Sequence, residues 1–118
     1  GHVRALPMGT DWIEHPIPEG CTGRILRKRV GERVYVRFVN LVMPAGSGLF
    51  VLIPQSSLTE GWRPGPAERV VQYVALQGNA VSAQQISIYG PVAWVGSTRP
   101  AAGLMGTVSY LTDEPSPA

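Results

Sequence analysis

The sequence predicts an all-β fold of seven or eight short antiparallel strands, and three observations point to it. Fourteen Gly and eleven Pro cut the 118 residues into short runs, which argues against long helices. Between these breaks lie apolar segments of strand length, rich in Val, Ile, Tyr and Phe; several of them alternate with period two. No segment combines a 3.6-residue period with helix caps. An antiparallel β-sandwich or barrel follows. The length suits one domain with a modest core.

Residues 1–20 read as an N-terminal arm or linker. Gly1-His2 has the look of a tag remnant, and a longer natural chain upstream is expected. Pro7, Pro16 and Pro18 hold the arm extended. A short strand is expected over residues 12–14. The β-domain proper runs over residues 21–112, and residues 113–118 read as a polar tail.

Residues 22–30 and 33–43 form a hairpin around Gly31-Glu32, a short Gly-containing connection between two β-rich runs. In the second arm Val34, Val36 and Phe38 share one face, and Tyr35, Arg37, Val39 and Leu41 share the other. Both faces carry apolar groups. A strand open to water on one side should be polar there, so this one reads as covered on both sides. Tyr35, Arg37, Val39 and Leu41 become the candidate subunit interface, because intimate interfaces are apolar.

Residues 44–48 are a turn cluster. The continuous apolar run 49–53, closed by Pro54, reads as a buried strand. Residues 55–69 form a long loop carrying Trp62, and a loop of that length is either functional or held in an interface. Strands follow over residues 70–76, 81–89 and 92–95, the first two joined by a tight turn at Gln77-Gly78-Asn79. Residues 96–103 are a loop, and 104–111 form the last strand.

The formal charge of +2 does not by itself demand a polyanionic partner. The clustering is more telling: Arg24, Arg27, Lys28, Arg29, Arg33 and Arg37 are six of the ten basic residues. They do not share one parity, since Arg24 and Lys28 are even and the others odd. A solvated, edge-protecting face competes with a ligand surface. Tyr35 and Phe38 nearby leave an oligonucleotide-binding barrel open as a further reading.

Catalytic constellations are hard to assemble. His15 is the only histidine outside the tag remnant, and it sits in a Pro-flanked arm, a poor platform for a rigid triad. It reads as a surface or interface residue. Cys21 is the only cysteine, so no internal disulfide forms; it reads as a small buried apolar residue. One His, one Cys and scattered carboxylates make no tetrahedral metal site. The carboxylate pairs Asp11/Glu14 and Glu60/Glu68 lie in the arm and the long loop. No Gly-rich phosphate loop precedes a helix. No cofactor is expected, and no apolar run is long enough for a membrane helix. Trp62 and Trp94 are aromatics beside loops, placed either to meet sugar rings or a partner, or to plug the ends of the fold.

Four segments in order carry a resemblance. They are Phe50-Val51-Leu52-Ile53-Pro54 with Gly61-Trp62-Arg63-Pro64; Arg29-Val30-Gly31 with Val34-Tyr35-Val36; Ile86-Ser87-Ile88-Tyr89-Gly90; and Gly106-Thr107-Val108-Ser109-Tyr110 running on to Pro115. Together they resemble the C-terminal domains of siphophage minor tail proteins and receptor-binding proteins. The resemblance covers about residues 18–117. It implies a jelly-roll-like β-sandwich, a homotrimer, and a place in the virion at the tail tip. It also implies a non-enzymatic role in host-surface adhesion, with a cell-surface glycan and other tail proteins as partners. Trp62, Arg63 and Trp94 are the candidate ligand contacts. Two alternatives remain: a purely structural trimerisation cap of a tail fibre, and the oligonucleotide-binding barrel using residues 24–37.

Overall fold

The computed structural model describes residues 9–117, so Gly1-His2 and the rest of the segment up to residue 8 lie outside the described residues. Eight strands run in the order β1 (Ile13–His15), β2 (Thr22–Val30), β3 (Arg33–Val42), β4 (Phe50–Ile53), β5 (Val70–Leu76), β6 (Asn79–Ile88), β7 (Val92–Val95) and β8 (Leu104–Leu111). A single 3-10 turn, Gln55–Ser57, interrupts the long loop. The all-β antiparallel expectation therefore holds, down to the number of strands.

The layering differs from a two-sheet sandwich. All eight strands hydrogen-bond into one sheet, ordered β1-β2-β3-β8-β5-β6-β7-β4, with every neighbouring pair antiparallel. The sheet curls into a half-barrel around one core. The ladder is shortest where β5 meets β8, since these strands share only two paired positions, Ala75 with Met105 and Leu76 with Leu104. Beyond that point side chains take over the ladder. The Gln72 amide accepts from the Ser109 N–H at 3.0 Å and donates to the Ser109 carbonyl at 2.7 Å. One turn of chain further, the Glu68 carboxylate accepts from the Leu111 N–H, and the Gly65 N–H donates to the Leu111 carbonyl. Gln72 of β5 together with Gly65 and Glu68 of the long loop thus satisfies backbone groups of Ser109 and Leu111.

The β2–β3 hairpin turns at Gly31-Glu32 as the sequence predicts. Only Gly31 of the two takes a positive φ, 59°, the pattern of a type II′ turn that matches strand twist. Its register pairs Ile25 with Phe38, Arg27 with Val36 and Arg29 with Val34. Those six face inward, and the intervening pairs Leu26/Arg37, Lys28/Tyr35 and Val30/Arg33 face outward. Arg27 and Arg29 are therefore inner-face residues.

Leu41 departs from the expected set. The ladder of β3 with β8 slips between Phe38 and Leu41, and Asn40 takes a left-handed φ of 47°. This bulge inserts one residue and reverses the alternation. Leu41 joins Val34, Val36 and Phe38 in the core at 0% exposure. The candidate interface loses Leu41, while Tyr35, Arg37 and Val39 keep their common outer face. Two glycines make the bulge possible. A Cβ on Gly23 would lie 2.1 Å from the Asn40 carbonyl oxygen, and one on Gly103 would lie 2.1 Å from the Asn40 Oδ1.

Candidate binding surface

Two groups of polar and aromatic side chains stand out, one inside the curl and one on its outer face. The inner group is built on β2. Arg29, buried at 3% exposure, donates to four backbone carbonyls: Gly31, Gly61, Glu114 and Pro115. Glu114 in turn accepts from the Gly61 and Arg63 N–H groups and pairs with the Arg63 guanidinium. The segment expected to be a polar tail is, up to residue 117, tied into the body at Arg29 and at the loop.

Beside this clamp the Arg27 guanidinium lies over the Trp62 ring, 4.4 Å from its centroid. Burial lowers the Arg27 pKa, with the neighbouring Tyr110 acting in the opposite sense. The Tyr110 hydroxyl donates to the Trp62 carbonyl, and burial pushes its own ionisation far above the ordinary range. His15 is buried rather than exposed, because β1 pairs with β2 and sets His15 opposite Ile25, on the inner face. Burial and then the Arg27 charge lower its pKa to about 4, so it is neutral at pH 7.

These positions revise the expected ligand contacts. Trp62 and Trp94 are buried in the core at 4% and 3% exposure. They pack into the core: Trp62 stacks on Arg27, and Trp94 donates its Nε1–H to Gln84. Neither ring offers a face to a ligand. Arg63 is exposed, but its guanidinium is held by Glu114. The three residues do not form one surface.

The outer face of β2 and β3 carries what was expected elsewhere. Trp12, just ahead of β1, lies against it, with the Arg37 guanidinium 4.2 Å and the Lys28 ammonium 5.5 Å from its ring centroid. Trp12, Lys28, Val30 and Tyr35 line an open groove of about 260 Å³. Arg33 and Arg37 continue the face along β3, and they reach across to the Ser109 and Thr107 hydroxyls of β8. Among the described residues, Lys28, Arg33 and Arg37 form no ion pair. The signal that could have found this surface is the even spacing Arg33-Tyr35-Arg37 set beside Lys28 by the hairpin register. Trp12 itself, placed in an arm, carries no such signal.

The remaining candidates serve the fold. Glu14 pairs with Arg24, and Glu68 caps the Leu111 N–H. Cys21 is half-buried against the core, and burial raises its thiol pKa, with Arg99 acting against the rise. Among the described residues no group of three metal-ligating side chains converges, and no helix is long and apolar enough to cross a membrane. No protein-family model, curated protein or solved structure matches the chain.

Proposed function

We propose that this chain is a non-enzymatic binding domain of a bacteriophage tail tip, which adheres to a host-surface polysaccharide and works as a homotrimer in the virion. The observation that carries the reading is the open outer shelf of Trp12, Lys28, Tyr35 and Arg37. The shallow groove beside Val30 and Tyr35 suits the apolar face of a sugar, and the cations gathered over Trp12 suit its polar groups. Lys28, Tyr35 and Arg37 of the shelf sit on β2 and β3, and strands hold their side chains more rigidly than loops do. The order of the four tail-protein-like segments supports the tail context.

The homotrimer draws support from a second face. Residues 70–98 contain no charged side chain, yet Val71, Tyr73 and Val81 are exposed there. Interfaces between subunits are depleted of charge in this way.

Adhesion of the isolated chain to bacterial cell-wall preparations and to a glycan array tests the reading. Binding by the parent and its loss in Trp12→Ala are expected. Failure to adhere to any wall preparation or glycan would leave the purely structural role in its place. Light scattering at micromolar concentration checks the trimer, and a monomer would contradict it.

A further inference from the structure

We infer that the ligand of the outer shelf is an anionic saccharide polymer, its acidic groups held by Lys28, Arg33 and Arg37 and its sugar rings lying in the groove of Trp12, Val30 and Tyr35. The inference rests on the binding role proposed above and names the chemistry of its ligand.

Among the described residues the shelf cations have no acidic partner in the fold. Every carboxylate side chain of the sequence lies within the described residues. Glu14 is engaged by Arg24 and Glu114 by Arg63, and Glu68 caps a backbone N–H. None pairs with the three shelf cations. Arg33 and Arg37 bond only to the neutral hydroxyls of Ser109 and Thr107, at 3.1 and 3.5 Å. Such bonds aim a guanidinium without neutralising it, and guanidinium groups are matched to carboxylates and phosphates.

Arg33, Tyr35 and Arg37 are alternate residues on one outer face. At about 3.4 Å per residue the Cα atoms of the two arginines stand roughly 14 Å apart along the strand, longer than one monosaccharide. An oligomer with repeating acidic groups spans them; a lone acidic sugar does not.

The aromatic arrangement decides between polyanions. Proteins that hold single-stranded nucleic acid stack successive bases on successive open rings. Here one of the two rings, Trp12, already has two cations over it, leaving no row of open rings. A saccharide needs only an apolar strip for its C–H face, and Val30 at 49% exposure with Tyr35 supplies it.

The test titrates the whole chain with three probes at low salt: a galacturonic acid hexamer, the neutral maltohexaose, and a single-stranded oligothymidine. The expected result is preferential binding of the galacturonate hexamer. That binding should weaken at least about tenfold between about 0.05 and 0.5 M salt, as exposed charge contacts do. Lys28→Gln and Arg37→Gln should each weaken it several-fold with an unchanged melting temperature, since both side chains lie on the outer face. Binding of maltohexaose at equal strength overturns the acidic assignment and leaves the adhesion role standing. Tighter binding of oligothymidine overturns it in favour of nucleic acid. No binding of the galacturonate hexamer, while the chain still adheres to cell walls, overturns it too; loss of both removes the adhesion role itself.

Discussion

Arg29 and Glu114 grip the same residue from opposite sides. The Arg29 guanidinium donates to the Gly61 carbonyl at 2.7 Å, and the Gly61 N–H donates to the Glu114 carboxylate at 2.7 Å. Arg29 also binds the Glu114 and Pro115 carbonyls. One buried cation on β2 thereby fastens both the long loop and the C-terminal segment to the sheet, and Trp62 of that loop is set into the core.

Arg29→Gln removes a buried charge from four carbonyls and leaves most of them without a donor. The expected loss is about 3 kcal/mol or more, from the 3–5 kcal/mol typical of breaking a buried charged network. Urea unfolding measures it. Glu114→Gln keeps the shape and weakens the bonds, so its cost should be smaller, about 1 kcal/mol. Their effects should be non-additive in a double-mutant cycle, because both act through Gly61.

Acid should destabilise the fold in two stages. The pKa of His15 is lowered to about 4 from 6.5 by burial and by Arg27, so the unfolded chain binds the proton more readily. Its contribution is complete above pH 6.5 and is lost as the pH falls toward 4. After discounting for solvent screening this amounts to roughly 1–2 kcal/mol. Glu114 follows at lower pH. Burial would raise its pKa, but hydrogen bonds from the Arg63 side chain and from the Gly61 and Arg63 N–H groups outweigh that and lower it. Its stabilisation holds above the unfolded carboxylate range and disappears as the pH falls through the folded value. In a series of unfolding curves, His15→Phe should flatten the upper stage and leave the lower one.

The bulge at Asn40 depends on its two glycine neighbours. Gly23→Ala places a Cβ against the Asn40 carbonyl in a residue whose φ is 102°. Steric overlap and backbone strain together should cost about 2–4 kcal/mol. Asn40→Gly should be nearly neutral, since glycine reaches positive φ freely. Thermal melts of the two variants check the contrast.

Tyr110→Phe removes the hydroxyl that donates to the Trp62 carbonyl and leaves that buried oxygen unpaired. A loss of about 1–2 kcal/mol is expected. The near-ultraviolet circular dichroism of the core tryptophans should change with it, since Trp62 is held in place by this bond.

The strands were legible because period-two runs between glycines and prolines leave little other choice, and residues 104–111 show this cleanly. Facing was less legible. In the hairpin, parity alone could not tell whether Arg27 and Arg29 point out; the register with Val36 and Val34 decides that. Strict alternation puts Leu41 on the wrong face; Asn40, a residue type that tolerates positive φ, is the only local hint of the bulge, and it does not fix where the alternation reverses. The bulge comes from the close approach of Gly23 and Gly103, which lie far apart in sequence. Trp62 in the long loop and Trp94 in a short strand both read as candidate contacts, yet both are buried, at 4% and 3% exposure, and that burial follows from packing that exists only in three dimensions. Trp12 is less legible: a short strand is expected over residues 12–14, but only the pairing of β1 with β2 brings Trp12 to Lys28 and Arg37.

The most direct measurement of the central claim is adhesion of the chain to bacterial cell-wall polysaccharide, compared among the parent, a Trp12→Ala/Arg37→Gln double variant and Arg63→Gln, with folding verified by thermal melts. A loss of at least about tenfold is expected for the shelf variant, and near-parental adhesion for Arg63→Gln. Parental adhesion by a folded shelf variant, or loss confined to Arg63→Gln, would contradict that claim.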